Sequence, residues 1–179
     1  PGGVTRDGRR LAYATNRGDG VAFDTWVRDL VTGEERLVFA SGGWTGPGGF
    51  SPDGRYLAVA EPTTKPGDNQ VHLVDLHALG ADGGPAGPGH EAVVELAPHE
   101  GSASVGTPSW LPDSSAFFFT TDVRREFAGV ARGTPDGAWE YVVEPGWECG
   151  CAIDWSGRHL LVAWNEDGRT RAELRDPVF

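Results

Sequence analysis

Four segments of the chain align with one another without a gap: Val4-Thr-Arg-Asp-Gly-Arg-Arg-Leu-Ala-Tyr-Ala14, Phe50-Ser-Pro-Asp-Gly-Arg-Tyr-Leu-Ala-Val-Ala60, Trp110-Leu-Pro-Asp-Ser-Ser-Ala-Phe-Phe-Phe-Thr120 and Ile153-Asp-Trp-Ser-Gly-Arg-His-Leu-Leu-Val-Ala163. Self-similarity of this kind restricts the fold to an array in which each module buries its apolar face against the next. The turn glycines or their equivalents, Gly8, Gly54, Ser114 and Gly157, lie 46, 60 and 43 residues apart. Two of these spacings suit the ~40–50 residues of a four-stranded blade. The long one contains Leu79-Gly-Ala-Asp-Gly-Gly-Pro-Ala-Gly-Pro-Gly89, whose low complexity marks a loop insertion.

Each repeat carries the same local instructions. In Pro-Asp-Gly the Pro presets φ, the Asp bonds its own backbone and the Gly accepts positive φ, so the chain reverses tightly. The apolar run that follows, such as Arg55–Ala60 or Ala116–Thr121, is too short for a useful helix and suits a strand buried on both faces. A further strand is expected in Thr25–Leu30, Gln70–Leu76, Glu126–Arg132 and Thr170–Arg175, with clearer apolar and polar alternation. After another turn an outer strand is expected in Glu35–Phe39, Ala92–Leu96 and Ala138–Val143. The predicted fold is all-β: a partial β-propeller of about three and a half four-stranded antiparallel blades. The blades fall roughly at 1–46, 47–104, 105–147 and 148–179, the last lacking its outer strand. Three and a half blades cannot close a ring of ~4–8 blades, so a piece of a longer polypeptide is expected, with a closed four-bladed ring as the lesser alternative. Its open edges favour self-association, with a dimer or larger assembly as the expectation.

Composition removes several classes of function. The formal charge is −11 and the basic residues are scattered, which leaves no electrostatic footprint for nucleic acid. No apolar run approaches the ~20 residues that span a bilayer, so no membrane partner is expected. The N-terminus lacks the basic and apolar regions of a secretion signal, and a cytoplasmic location is the expectation. Cys149 and Cys151, the only cysteines, fall on one face of a strand at a separation where a disulfide would require distortion; packed thiols are expected. One Cys-x-Cys pair cannot complete a zinc site, and no metal or cofactor is expected.

The repeats resemble the WD-like, TolB-type propeller repeats fused to the catalytic domain of prolyl oligopeptidase family serine peptidases, including their acylaminoacyl-peptidase and dipeptidyl-peptidase relatives. The matches are Ser51-Pro-Asp-Gly-Arg-Tyr-Leu-Ala-Val-Ala60, Ser109-Trp-Leu-Pro-Asp-Ser114, and Asn165-Glu-Asp-Gly168 followed by Arg175-Asp176, and they extend over nearly the whole chain. Ser-Pro-Asp-Gly is shared by many propellers, whereas the stretch from Trp155 to Asp176 is closer to these peptidases. The resemblance implies a C-terminal α/β-hydrolase domain on the same polypeptide, a peptide substrate, and a propeller that gates peptide access. The chain departs from a complete member in having no Gly-x-Ser-x-Gly nucleophile elbow, so no catalytic residue is carried over.

Other constellations have simpler explanations. His99, Ser102 and Ser104 are close in sequence, but activating a nucleophile needs an oriented base, and a polar inter-blade loop is expected. Asp19, Glu61, Asp122, Glu126, Glu148 and Glu166 could supply a glycosidase pair, yet nothing singles out two of them. Asn165–Gly168 lacks the spacing of a calcium loop and suits a hairpin turn. Trp110, Trp155 and Trp164 are expected in the core, each with a partner for its indole N–H. Alternation of the strands places Asn16–Gly20, Pro62–Asp68, Asp122–Glu126 and Asn165–Gly168 on one variable rim, with the links that contain Trp44 and Trp147. Loops on a rigid scaffold are common recognition sites, so this rim is expected to face substrate or the hydrolase domain, with Arg124, Arg125 and Glu126 as polar contacts. A TolB-like interaction propeller and a carbohydrate-active propeller are the alternatives.

Overall fold

The structure, a computed structural model, describes residues 3–79 and 84–177. Among them are no helices and four antiparallel sheets in chain order. The first holds β1 (Gly3–Val4), β2 (Arg10–Thr15), β3 (Asp24–Asp29) and β4 (Glu35–Phe39). The second holds β5 (Gly46–Phe50), β6 (Tyr56–Pro62), β7 (Asn69–Asp75) and β8 (Val93–Leu96). The third holds β9 (Ser109–Trp110), β10 (Phe117–Thr121), β11 (Gly129–Gly133) and β12 (Trp139–Val143). The fourth has three strands, β13 (Cys149–Ile153), β14 (Leu160–Glu166) and β15 (Arg169–Arg175). The chain is thus a partial all-β propeller, and each sheet is a meander whose neighbours in sequence are neighbours in space.

The repeated turns form as their side chains dictate. Thr5, Ser51 and Asp154 occupy the same repeat position, and the side chain of each accepts the backbone N–H five residues on. The Ser51 hydroxyl donates to Asp53 Oδ1 at 2.5 Å and accepts the Tyr56 N–H at 2.9 Å, and Asp53 Oδ1 accepts the Arg55 N–H at 3.0 Å. Thr5, Asp7, Arg9 and Arg10 repeat this pattern. In the fourth turn Asp154 Oδ1 takes the N–H groups of Arg158 and His159, both at 2.8 Å. Gly8, Gly54 and Gly157 have φ of +72°, +70° and +68°, and Ser114 adopts +61° in the one turn without glycine.

Packing follows the period of two. In β6, Leu57 and Val59 enter a cluster with Val27, Val38 and Phe39 of the first sheet, whereas Ala58 faces the third sheet. In β10, Phe117 and Phe119 join Val71, Leu73 and Leu96 of the second sheet, while Phe118 packs with Leu160 and Val162 of the fourth. All three phenylalanines are essentially inaccessible, and each contributes roughly 1.5–3 kcal/mol of burial. Cys149 and Cys151 are free, half-buried thiols facing the third sheet; burial pushes both up, Cys151 to about 12.

Several details differ from the sequence reading. Trp155 is 83% exposed, because it stands in the turn position that holds Pro52 and Pro112 in the second and third repeats, outside the strand. Trp164 is half-buried against the third blade, and Trp110 is buried with its indole N–H unpartnered. The predicted start of β11 at Glu126 moves to Gly129, because the preceding residues form a loop held by Arg125. Of the loop insertion, residues 80–83 lie outside the described set. The rest is not a free loop: Ala86 pairs with β4 through Ala40 N–H to Ala86 O and Ala86 N–H to Val38 O, covering part of an open edge.

Gly133 exposes how tightly the third sheet is filled, since a Cβ there would lie 2.5 Å from Phe117 Cε2 and 3.2 Å from Phe119 Cε1. Gly133→Ala is expected to lower stability by roughly 1–3 kcal/mol through overpacking, measured as a reduced urea midpoint with an unchanged slope.

Candidate functional site

The loops after β2, β6 and β10 and the links between sheets lie together on one rim, because strands of a meander return to the same side every second turn. They are joined by backbone and side-chain hydrogen bonds. Phe23 N–H donates to Gly43 O and Thr45 N–H donates to Phe23 O, so the first loop and first link form a short parallel bridge. In the second blade, Asn69 takes the Val105 N–H at 3.0 Å and gives its amide to Val105 O at 2.8 Å. In the third, Gly106 N–H donates to Thr120 O and Asp122 Oδ1 accepts the Ser104 N–H at 2.7 Å. The rim is therefore a bonded ledge.

The three residues singled out for polar contacts sit on this ledge. Arg124 is exposed and holds φ at +63°, and Glu126 is exposed. Arg125 is half-buried, and its guanidinium donates to Phe127 O at 3.1 Å, Pro145 O at 3.0 Å and the Glu144 carboxylate, while lying 5.2 Å over the Tyr141 ring. Arg125 thus ties the β10–β11 loop to the link into the fourth sheet. Aromatic groups accompany it. Phe23 meets Trp44 at 5.3 Å between ring centres and Phe127 meets Trp147 at 6.3 Å. Trp44 is 66% exposed and Val21 72%, which gives the rim an apolar component.

His99 takes a position different from a catalytic base. Its Nδ1 lies 3.0 Å from Ala97 O and its Nε2 3.0 Å from Asp68 Oδ1, so both ring nitrogens face acceptors. Asp68 also accepts the Thr63 hydroxyl at 2.6 Å and the Ala103 N–H at 3.0 Å. The Thr63 hydroxyl above all, then the Ala103 amide and His99, hold the Asp68 carboxyl far below the usual range. Burial alone would lower His99, but the Ala97 carbonyl and the Asp68 carboxylate outweigh it and leave it raised. The pair is a structural clasp between the β6–β7 loop and the next link, and Ser102 and Ser104 gain no base from it. Sequence reasoning missed this pair because Asp68 and His99 are 31 residues apart.

Of the six acids considered for sugar chemistry, Glu126 is exposed on the rim, Asp122 accepts the Ser104 N–H, and the other four are separately engaged. Asp19 caps the N–H groups of Val21 and Ala22, Glu61 pairs with buried His72 at 3.1 Å, Glu148 accepts the Ala128 N–H and Glu166 pairs with Arg171. Asp167 and Gly168, with φ of +49° and +78°, form a two-residue hairpin turn in which Asn165 Oδ1 accepts the Gly168 N–H.

No family model and no curated protein matches the chain. Among solved structures it is similar to TolB from Acinetobacter baumannii, at 18% identity and a TM-score of 0.61, with 97% of this chain and 39% of that one covered. A TolB-type protein from Agrobacterium tumefaciens gives 17% identity and a TM-score of 0.68, covering 98% of this chain and 60% of that one. This is a TolB-type β-propeller fold. The same propeller is similar to a prolyl endopeptidase structure at 18% identity and a TM-score of 0.66, covering 96% of this chain and 27% of that one. The chain therefore spans less than two thirds of each of these proteins.

The His99–Asp68 clasp gives this propeller a defined pH response. Because the His99 value is raised in the folded state, its stabilisation is complete below the unfolded value of about 6.5 and is lost as pH rises through the raised value. The Asp68 value is lowered, so its contribution persists above about 4 and is lost only in strong acid. Wild-type protein is expected to lose more stability between pH 6 and pH 9 than His99→Gln, compared by urea midpoints at both values.

Proposed function

We propose that this propeller is a non-catalytic gating domain that controls access of peptides to an α/β-hydrolase domain of the prolyl oligopeptidase kind, carried on the same polypeptide. The observation that carries the reading is the bonded rim: loops and links are fixed to one another, yet Arg124, Glu126, Trp44 and Trp147 remain on its surface. A preorganised ledge can sort peptides without losing binding energy to loop ordering. The similarity to a prolyl endopeptidase and the matching repeats support the same reading. Among the described residues the His–Asp pair on the rim, His99 with Asp68, has both ring nitrogens facing acceptors, and the reading assigns the chemistry to the hydrolase domain.

The second reading is a TolB-type interaction propeller that binds protein partners through the same rim, favoured by the likeness to two TolB-type structures and by the exposed Trp44 and Val21. A parent reading frame with a downstream Gly-x-Ser-x-Gly segment favours gating; one without it favours the interaction propeller.

Reversing the exposed rim charges together, Arg124→Glu with Glu126→Lys, tests the gate in the full-length polypeptide. Peptide kcat/KM is expected to change by about threefold or more while turnover of a small ester stays constant, because rim charges act on encounter. Unchanged peptide turnover would contradict the role of these residues. Labelling of the isolated 179-residue chain by a fluorophosphonate would contradict the assignment of chemistry elsewhere.

A further inference from the structure

The opposite rim carries a second site, at the end of the propeller axis where the four repeated turns converge. A cleft of about 320 Å³ opens there, near the lower end of the size range for small-ligand sites. Its inner wall is formed by Val4, Phe50, Trp110 and Ile153, which occupy one and the same repeat position. Its lip is formed by the position two residues later, Arg6, Pro52, Pro112 and Trp155. The repeat thus delivers an apolar ring and a lip that departs from Pro only in the first and fourth blades.

The lip is held in place around most of its circumference. The Arg10 guanidinium donates to Gly54 O at 2.7 Å and joins the first turn to the second. The Asp53 N–H donates to Ser114 Oγ at 3.1 Å and joins the second to the third. Between third and fourth, the Ile153 N–H donates to Ser109 Oγ at 3.1 Å, and Gly157 sits so close to Pro112 that a Cβ would lie 2.4 Å from its Cδ. Only the first and fourth turns meet through exposed side chains, with the Arg6 guanidinium 5.7 Å from the centre of the Trp155 ring.

The chemistry of this lip selects a ligand. Arg6 makes no hydrogen bond or ion pair among the described residues, so its guanidinium donors are available. Asp154 is the one acid that lines the cleft, and its Oδ1 already accepts the Arg158 and His159 N–H groups while Oδ2 accepts the Ser156 hydroxyl. Hydrogen bonds from Ser156 and from these amides hold its carboxyl far below the usual range. Trp155 offers a large open ring face, and Pro52, Pro112 and Phe50 complete an apolar wall.

We propose that this mouth binds an apolar carboxylate of amino-acid size, with its carboxylate on Arg6 and its side chain against Trp155 and the apolar ring. Two sources share that chemistry, the free C-terminus of a peptide ending in an aromatic or branched residue and a free acid of the same shape. The site lies on the rim opposite the loops assigned to gating, so it does not rest on that reading.

Calorimetric titration with N-acetylphenylalanine, N-acetylphenylalanine amide and Ala-Ala-Ala-Phe tests it. The acid is expected to bind at least about tenfold more tightly than the amide, as a charge-assisted pair warrants. Arg6→Gln is expected to abolish that preference, and Trp155→Ala to weaken acid and amide alike. Both residues are exposed, so unchanged unfolding curves will show that the variants fold. Tighter binding of the tetrapeptide than of the acid identifies a chain end as the ligand, and equal binding identifies a free acid. No binding at millimolar concentration, equal affinity for acid and amide, or an acid preference that survives Arg6→Gln would overturn the proposal.

Discussion

The structure depends on strands that are buried on both faces. Leu57-Ala58-Val59 and Phe117-Phe118-Phe119 have no solvent side: alternate residues face the preceding and the following sheet. No single blade can satisfy such a strand, so the second and third sheets each require a neighbour on both sides. The outer strands show the contrast. All residues of β15 except Arg175 are exposed, and Leu174 stays 70% accessible on the face of the fourth sheet that turns away from the third.

The tight turns, set by their own side chains, bring the strands into that packing. They reverse the chain at one rim with a few side-chain bonds, and four copies of one motif therefore gather at one end of the axis. At the other end the loops and links vary in length and composition, and they are fastened by contacts peculiar to each blade: Phe23 with Trp44, Asp68 with His99, Arg125 with Glu144 and Pro145. One scaffold thereby presents two different surfaces. The first is a symmetric lip with two substitutions in it, and the second is an irregular ledge with exposed charge and aromatic area.

The repeat was legible in the sequence because turn chemistry is local. Ser51-Pro-Asp-Gly54 and its three counterparts carry their own hydrogen bonds, so aligning them located most of the strands to within a residue or two. What escaped was long-range or positional. Asp68 and His99 meet only when two loops fold together, and nothing in either segment announces the other. Arg125 donates to Phe127 O and Pro145 O, and its place in the sequence does not announce the second of these bonds. Trp155 lies beside an apolar strand in the sequence, which points to the core, whereas its alignment with Pro52 and Pro112 places it in a turn. The insertion after Leu79 reads as a loop, and nothing in its composition announces that Ala86 bridges to β4.

Native-state hydrogen exchange tests most directly whether doubly buried strands hold this array together. Amides of β6, β7, β10 and β11 are expected to exchange slowly and through one shared opening, with those of β15 faster by orders of magnitude. Protection of β15 equal to that of β10, or separate openings for β6 and β10, would contradict the account.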